Sequence, residues 1–142
     1  MRVLVDTNVI LDVLLDRKPF AESGKAVFAL AEQSVIEGYI CATTVTTVDY
    51  LLRQTLPSSA ARNAIKRLLE LFEVAPVNRP VLEQALLSGM ADFEDAVLEQ
   101  SGRLIHVDLI ITRDVKHFRH SKLCVLDPDA LISTIDAATE EE

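Results

Sequence analysis

The sequence has few cysteines, few basic residues and no long apolar run at its start, and each shortage argues against a class of protein. It has only two cysteines, Cys41 and Cys124, each inside an apolar run, which favours buried, reduced thiols and a cytoplasmic location over a disulfide or a metal pair. Basic residues number 14 against 22 acidic ones, and a net charge of −8 argues against broad coating of nucleic acid. Asp6, Asp12 and Asp16 interrupt the apolar start of the chain, so neither a signal peptide nor a membrane span is expected.

The length and the apolar content indicate one well-filled core. A chain of 142 residues fits a single domain, and 49% apolar residues leave little room for disorder. We expect one domain over residues 1–138 and a disordered acidic tail at 139–142. The sequence contains no internal repeat, low-complexity segment or interdomain linker.

Short apolar runs alternate with helical patterns along the chain. The predicted strands are Val3 to Val5, Tyr39 to Thr43, Val74 to Val77, Leu109 to Thr112 and Leu123 to Leu126. Helical spacing predicts the intervening helices. We expect Ser58 or Ser59 to cap the helix that runs to Phe72, and Asp127-Pro128 to begin the last helix. This order predicts a three-layer α/β/α fold with a central parallel sheet of four to five strands. In such sheets ligands bind outside the carboxyl ends of the strands.

Two acids follow buried strands at the same predicted edge. Asp6 ends the first strand and opens the motif Asp6-Thr7-Asn8, and Asp114 comes just after the fourth strand. Asp6 alone could simply cap the following helix, because Asp is a favoured cap. Two strand-end acids at one edge are harder to explain by capping.

Two further acids are candidates for the same edge. Asp95 lies in the first turn of a helix, where it could instead form a capping pair with Asp92, and Asp49 lies on a helix, where it could simply face solvent. If Asp6, Asp49, Asp95 and Asp114 converged, each pair about 4 Å apart would repel by roughly 4 kcal/mol, and the cluster would demand a cation or protonation. Oxygen ligands without a histidine or cysteine set favour Mg²⁺ or Mn²⁺ over zinc.

Three stretches make the chain resemble the PIN-domain family. They are Leu4-Val5-Asp6-Thr7-Asn8, Asp92-Phe93-Glu94-Asp95-Ala96 and Ile111-Thr112-Arg113-Asp114-Val115-Lys116-His117-Phe118. Each is short, but their order and spacing together are fairly specific, and the resemblance spans nearly the whole chain.

The resemblance implies a metal-dependent endoribonuclease. It assigns an acidic quartet of Asp6, Asp49, Asp95 and Asp114 as catalytic metal ligands, with Asn8 and Thr112 holding ligands or water in place. Many family members carry Glu where this chain has Asp49, which puts its direct ligation in doubt. Asp92 rivals Asp95 but is read as a helix cap or as a residue just outside the metal ligands, and Asp12 would at best lie outside the ligand set too.

The resemblance also implies partners. Many similar single-domain proteins are toxins of toxin–antitoxin pairs, held inactive by a small antitoxin protein and often homodimeric. RNA would need positive charge beside the acidic site, and we expect it from Arg113 and Lys116, with Arg53 as a weaker candidate. An ordinary solvated loop explains the basic residues around position 116 nearly as well.

Two other functions remain open on the sequence. One is a PIN-like domain that binds a regulatory partner and has a weak or inactive metal site. The other is phosphoryl transfer on a strand-end aspartate, but the phosphatases of that type need a second Asp where this chain has Asn8.

Overall fold

The computed structural model describes residues 1–140. In chain order the elements are β1 (Arg2–Val5), α1 (Thr7–Leu14), α2 (Ala21–Glu32), β2 (Glu37–Cys41), α3 (Ala42–Leu52), α4 (Ser58–Leu71), β3 (Glu73–Ala75), α5 (Arg79–Leu87), α6 (Phe93–Leu104), β4 (Leu109–Ile111), a 3₁₀ turn (Val115–Phe118), β5 (Cys124–Leu126) and α7 (Pro128–Glu140).

The five strands form one parallel sheet in the order β3-β2-β1-β4-β5. The central strand β1 is buried on both faces, since Val3, Leu4 and Val5 are fully inaccessible. Val3 and Val5 pack into one apolar cluster and Leu4 into another on the opposite face, as the alternation of side chains along a strand requires. The predicted three-layer α/β/α architecture is therefore confirmed.

Register brings the ends of β1 and β4 side by side. Val5 pairs with Ile111, and the backbone N–H of Asp6 donates to the carbonyl oxygen of Ile111 at 2.8 Å. Asp6 follows β1 and Thr112 follows β4, so both residues emerge at the same carboxyl edge of the sheet.

Several boundaries differ from the sequence predictions. The second strand ends at Cys41, because α3 begins at Ala42 and takes the β-branched Thr43 into a helix. Helix α4 begins at Ser58 itself, and the preceding Pro57 gives no side-chain cap.

Two expectations about exposure and order also need correction. Both cysteines are free, but only Cys41 is buried, while Cys124 is exposed on the edge strand β5. Thr139 and Glu140, predicted as part of a disordered tail, belong to α7, and positions 141–142 lie outside the described residues. Among the described helices, none has the length and apolar content that crossing a bilayer would require.

Candidate active site

Asp6 caps α1 and also makes a hydrogen bond across the sheet edge. One carboxylate oxygen, Oδ1, accepts the N–H of Thr7 at 2.7 Å and so caps α1. The other, Oδ2, accepts the hydroxyl of Thr112 at 2.8 Å across the sheet edge. The residue is 7% exposed, so its carboxylate is held rigidly at the end of β1.

Asn8 connects the two strand-end acids. Its Nδ2 donates to Oδ2 of Asp114 at 3.0 Å and lies 3.4 Å from Oδ2 of Asp6. Its Oδ1 accepts the backbone N–H of Arg113 at 3.2 Å, and the Thr112 hydroxyl oxygen accepts the N–H of Asp114 at 3.0 Å. The Asn8 amide thus contacts both carboxylates, and the Thr112 hydroxyl orients that of Asp6 while it binds the backbone of Asp114.

Asp95 approaches the same place from α6. Asp92 caps that helix by accepting the N–H of Asp95 at 2.9 Å, so both residues take part in a cap and Asp92 has the predicted role. A pocket of about 370 Å³, called the acidic pocket below, is lined by residues that include Asp6, Asn8, Asp95 and Asp114. Three of the four predicted acids therefore face one cavity.

Crowding of like charges is visible in the acid–base properties of this pocket. Burial is the main cause that raises the pKa of Asp6, and the charge of Asp114 adds to it against the Thr112 hydrogen bond. Burial also raises the pKa of Asp95 to about 7, with further contributions from the charges of Asp6 and Asp92. The ring nitrogen Nδ1 of His117 lies 3.7 Å from Asp95 and offsets part of this shift when it is protonated.

Asp49, the fourth predicted acid, does not line the acidic pocket. Its carboxylate lies 3.1 Å from Nε of Arg53 and 3.6 Å from Nε of Arg62 on α4. Thr47 lines the pocket instead, with its hydroxyl 3.5 Å from a carboxylate oxygen of Glu94. Positions 47 and 49 are about 200° apart around a helix, so the two side chains point to different sides.

The three predicted RNA-contacting cations have different surroundings. Arg53 is engaged by Asp49, and Arg113 lines the acidic pocket but lies 2.7 Å from the buried carboxylate of Asp12. Lys116 lies beside the pocket, in a neighbouring cavity that it shares with Asp95. Of the three, Lys116 is the one that forms no ion pair within the described part of the chain.

Sequence reasoning missed three residues that line the acidic pocket: Arg17, Thr47 and Glu94. The helical periodicity of α3 could have indicated Thr47. Thr44, Val48 and Leu52 form the buried stripe of this helix, and Thr47 lies beside that stripe on the side of the pocket. Arg17 gave no such signal, because it follows the end of α1 and reaches back toward the pocket across the tertiary structure.

Comparison with known families decides the classification. The sequence model described as "PIN domain" matches residues 2–116, which includes every acid discussed above. The chain belongs to the PIN-domain family. No curated protein matches this PIN domain.

Solved structures share the fold of this PIN domain at low sequence identity. FitAcB from Neisseria gonorrhoeae superposes with a TM-score of 0.68 at 22% identity, covering 89% of this chain and 97% of that one. VapBC2 from Rickettsia felis, bound to a DNA fragment from its promoter, gives 0.70 at 10% identity, covering 89% and 98%. VapC20 from Mycobacterium tuberculosis, described as a Sarcin-Ricin loop cleaving toxin, gives 0.62 at 18% identity, covering 76% and 86%.

The donor set of this PIN domain suits a hard cation that keeps part of its water shell. Within residues 1–140, no group of three or more His, Cys, Asp or Glu side chains is close enough together to hold a metal ion by itself. Mg²⁺ commonly binds through one or two carboxylates and retains several waters, so such a group is not required. Arg17, Arg113 and His117 also line the pocket, but the carboxylates of Asp6, Asp95 and Asp114 offer the oxygen ligands that a divalent cation prefers.

Proposed function

We propose that this PIN domain is an endoribonuclease that hydrolyses RNA phosphodiester bonds with the help of Mg²⁺ or Mn²⁺. The observation that carries the proposal is the meeting of Asp6, Asp95 and Asp114 in one open pocket at the carboxyl edge of the sheet. The charge of Asp114 raises the pKa of Asp6 and the charge of Asp6 raises that of Asp95, and a stable protein has little reason to gather such carboxylates without a cation.

In this proposal Asp6, Asp95 and Asp114 hold the cation, directly or through water. The cation would supply an activated water and stabilise the charge that develops on the phosphate. Asn8 and Thr112 keep the carboxylates of Asp6 and Asp114 in position through the hydrogen bonds described above. Thr47 and Glu94 complete the wall of the pocket, and Glu94 adds negative charge to it.

Positive charge for the RNA backbone comes from the side of the pocket next to Asp95. Lys116 and His117 lie there with Arg119 and His120 in a cavity that also includes Asp95. Such a local basic surface is what a protein of net charge −8 needs to hold a phosphate near an acidic site.

We further propose that the protein is the toxin of a toxin–antitoxin pair and forms a homodimer. The FitAcB structure and a toxin–antitoxin complex from Klebsiella pneumoniae support this setting through their fold. Large exposed apolar side chains give additional support, since Leu86 and Leu87 at the end of α5 are 72% and 78% exposed and Tyr50 is 60% exposed.

A second candidate is a PIN domain that binds a regulatory partner and has a weak metal site. The observation that favours it is the position of Asp49, which leaves Thr47 where a fourth carboxylate was expected. The two candidates differ in catalysis, because only the nuclease requires the three remaining acids to act on RNA.

Cleavage of single-stranded RNA in Mg²⁺ or Mn²⁺ tests the proposal. We expect the wild type to cleave and Asp6→Asn and Asp114→Asn to lose at least about a hundredfold in rate, since each removes a charge at nearly constant volume. Asp129→Asn, in the first turn of α7, is the matched control and keeps full activity. Equal cleavage by wild type, Asp6→Asn and Asp114→Asn would overturn the role of these acids, and no cleavage by the wild type would favour the partner-binding candidate.

A further inference from the structure

A second polar cavity lies one helical turn along α6 from the acidic pocket. Asp95 and Glu99 are four residues apart on that helix, so they lie on one face with a rise of about 6 Å between them. Glu99 lines a cavity of about 260 Å³ with Gln84, Arg103 and Lys122.

A third cavity joins these two. It is about 460 Å³ in volume and shares Asp95 and His117 with the acidic pocket and Met90 and His120 with the Glu99 cavity. The three cavities are therefore adjacent, between the α5–α6 connection and the segment after β4, and together they are called the groove below.

One side of the groove is basic. The segment from the 3₁₀ turn to β5 places Lys116, Arg119 and Lys122 along it, and His117 and His120 line the same stretch. In a chain of net charge −8, this local row of cations is suited to the phosphates of a bound polynucleotide.

Glu99 has a single, long ion pair inside the described structure. Its side chain is 5% exposed, and the nearest cation is Arg103, whose Nη1 lies 3.8 Å away. Its carboxylate oxygens are not among the fully buried, unpartnered atoms of residues 1–140, so they remain reachable from the cavity that Glu99 lines. A carboxylate that lines a cavity and has one long ion pair keeps accepting capacity for a ligand that donates.

We propose that the groove binds the RNA strand and that Glu99 selects a guanine one or two nucleotides from the cleaved bond. This inference rests on the proposed nuclease function and adds its base specificity. An ionised carboxylate only accepts hydrogen bonds, and guanine presents two adjacent N–H donors on its Watson–Crick edge. Adenine and uracil each place an acceptor next to a donor, so one carboxylate oxygen would face a lone pair.

The test uses oligouridine that carries either a single guanine or a single inosine, which lacks the 2-amino donor. Binding is followed by fluorescence anisotropy and cleavage by gel analysis in Mn²⁺. The proteins are the wild type, Glu99→Gln and Glu83→Gln, the last a matched change at an exposed residue of α5 that pairs with Arg79.

We expect the wild type and Glu83→Gln to prefer guanine over inosine by about tenfold or more, since a well-formed paired contact to a base gives discrimination of that order. Glu99→Gln should lose the preference while keeping its fold by circular dichroism, because it replaces one acceptor with a donor.

Each result has a distinct meaning. Guanine preference in binding that depends on Glu99, without cleavage, supports the base site and removes the nuclease proposal. Cleavage or binding that is equal for guanine and inosine in the wild type, or a preference that survives in Glu99→Gln, overturns the base site and leaves the nuclease proposal standing. Absence of both binding and cleavage overturns both.

Discussion

The buried carboxylate of Asp12 lies 2.7 Å from Nε of Arg113, and this ion pair joins α1 to the loop that carries Asp114. Nη2 of Arg113 also donates to Asp12 at 3.2 Å, and its guanidinium lies 4.1 Å from the ring centroid of Phe20. Arg17 contacts the same carboxylate at 3.0 Å. Arg113 therefore anchors this loop to α1, and its contact with RNA stays a prediction.

Asp12→Asn should destabilise the protein by about 2 kcal/mol. It leaves two guanidinium groups around a neutral side chain, and breaking a buried pair usually costs about 3–5 kcal/mol. We expect less because the side chains of Arg113 and Arg17 are 29% and 41% exposed. Urea unfolding of the metal-free protein measures the change.

Asp16→Asn is the control for that experiment. Asp16 is an exposed partner of Lys25 and has a positive φ of 49°, which Asn tolerates well. Its substitution should change the free energy of unfolding by less than about 0.5 kcal/mol. Equal losses in the two variants would contradict the anchoring role of Asp12.

Without metal, Asp95 should make stability fall as pH rises. Its folded-state pKa is raised from 3.8 to about 7, so the folded state holds a proton that the unfolded state releases. Stability relative to Asp95→Asn is then highest below about pH 4 and is lost as the pH increases through 7. The loss should be on the order of 1–2 kcal/mol once solvent screening is considered.

Thermal unfolding in a chelator from pH 4 to pH 8 measures this difference. Above pH 7 the Asp95→Asn variant should melt at a higher temperature than the wild type, and added Mg²⁺ should stabilise the wild type more than the variant. A difference in melting temperature that does not change with pH would contradict the raised pKa of Asp95.

Asp49→Asn should leave RNA cleavage within about twofold of the wild type, because Asp49 pairs with Arg53 and Arg62 and does not line the acidic pocket. Thr47→Asp should instead alter the site, since it adds a carboxylate to the pocket wall and should tighten Mn²⁺ binding. Parallel cleavage and Mn²⁺ titrations measure both effects. A large loss in Asp49→Asn would show that this acid reaches the reaction.

The sheet and most of its acidic edge could be predicted because the relevant signals are local. Val3 to Val5 is an apolar run that ends in an acid, and parallel pairing with β4 then fixes where Asp6 and Asp114 meet. Cap residues such as Asp92 were also readable from their spacing to the next helical turn.

The helix faces and the long-range ion pairs were harder to predict. A helical pattern places Asp49 on α3, but which acid or hydroxyl faces the pocket depends on how α3 packs against its neighbours. The pairing of Asp12 with Arg113 links positions far apart in sequence, and no local pattern marks it. Arg113 and Lys116 look equivalent in the sequence. The tertiary structure pairs Arg113 with Asp12, whereas Lys116 forms no ion pair among residues 1–140.

Mn²⁺ titration of the metal-free protein, followed by electron paramagnetic resonance, tests most directly whether the three acids share a cation. The account predicts saturable binding by the wild type and by Asp49→Asn, with affinity reduced at least about tenfold in Asp6→Asn and in Asp114→Asn. Absence of saturable binding in the wild type, or equal affinity in all four proteins, would contradict it.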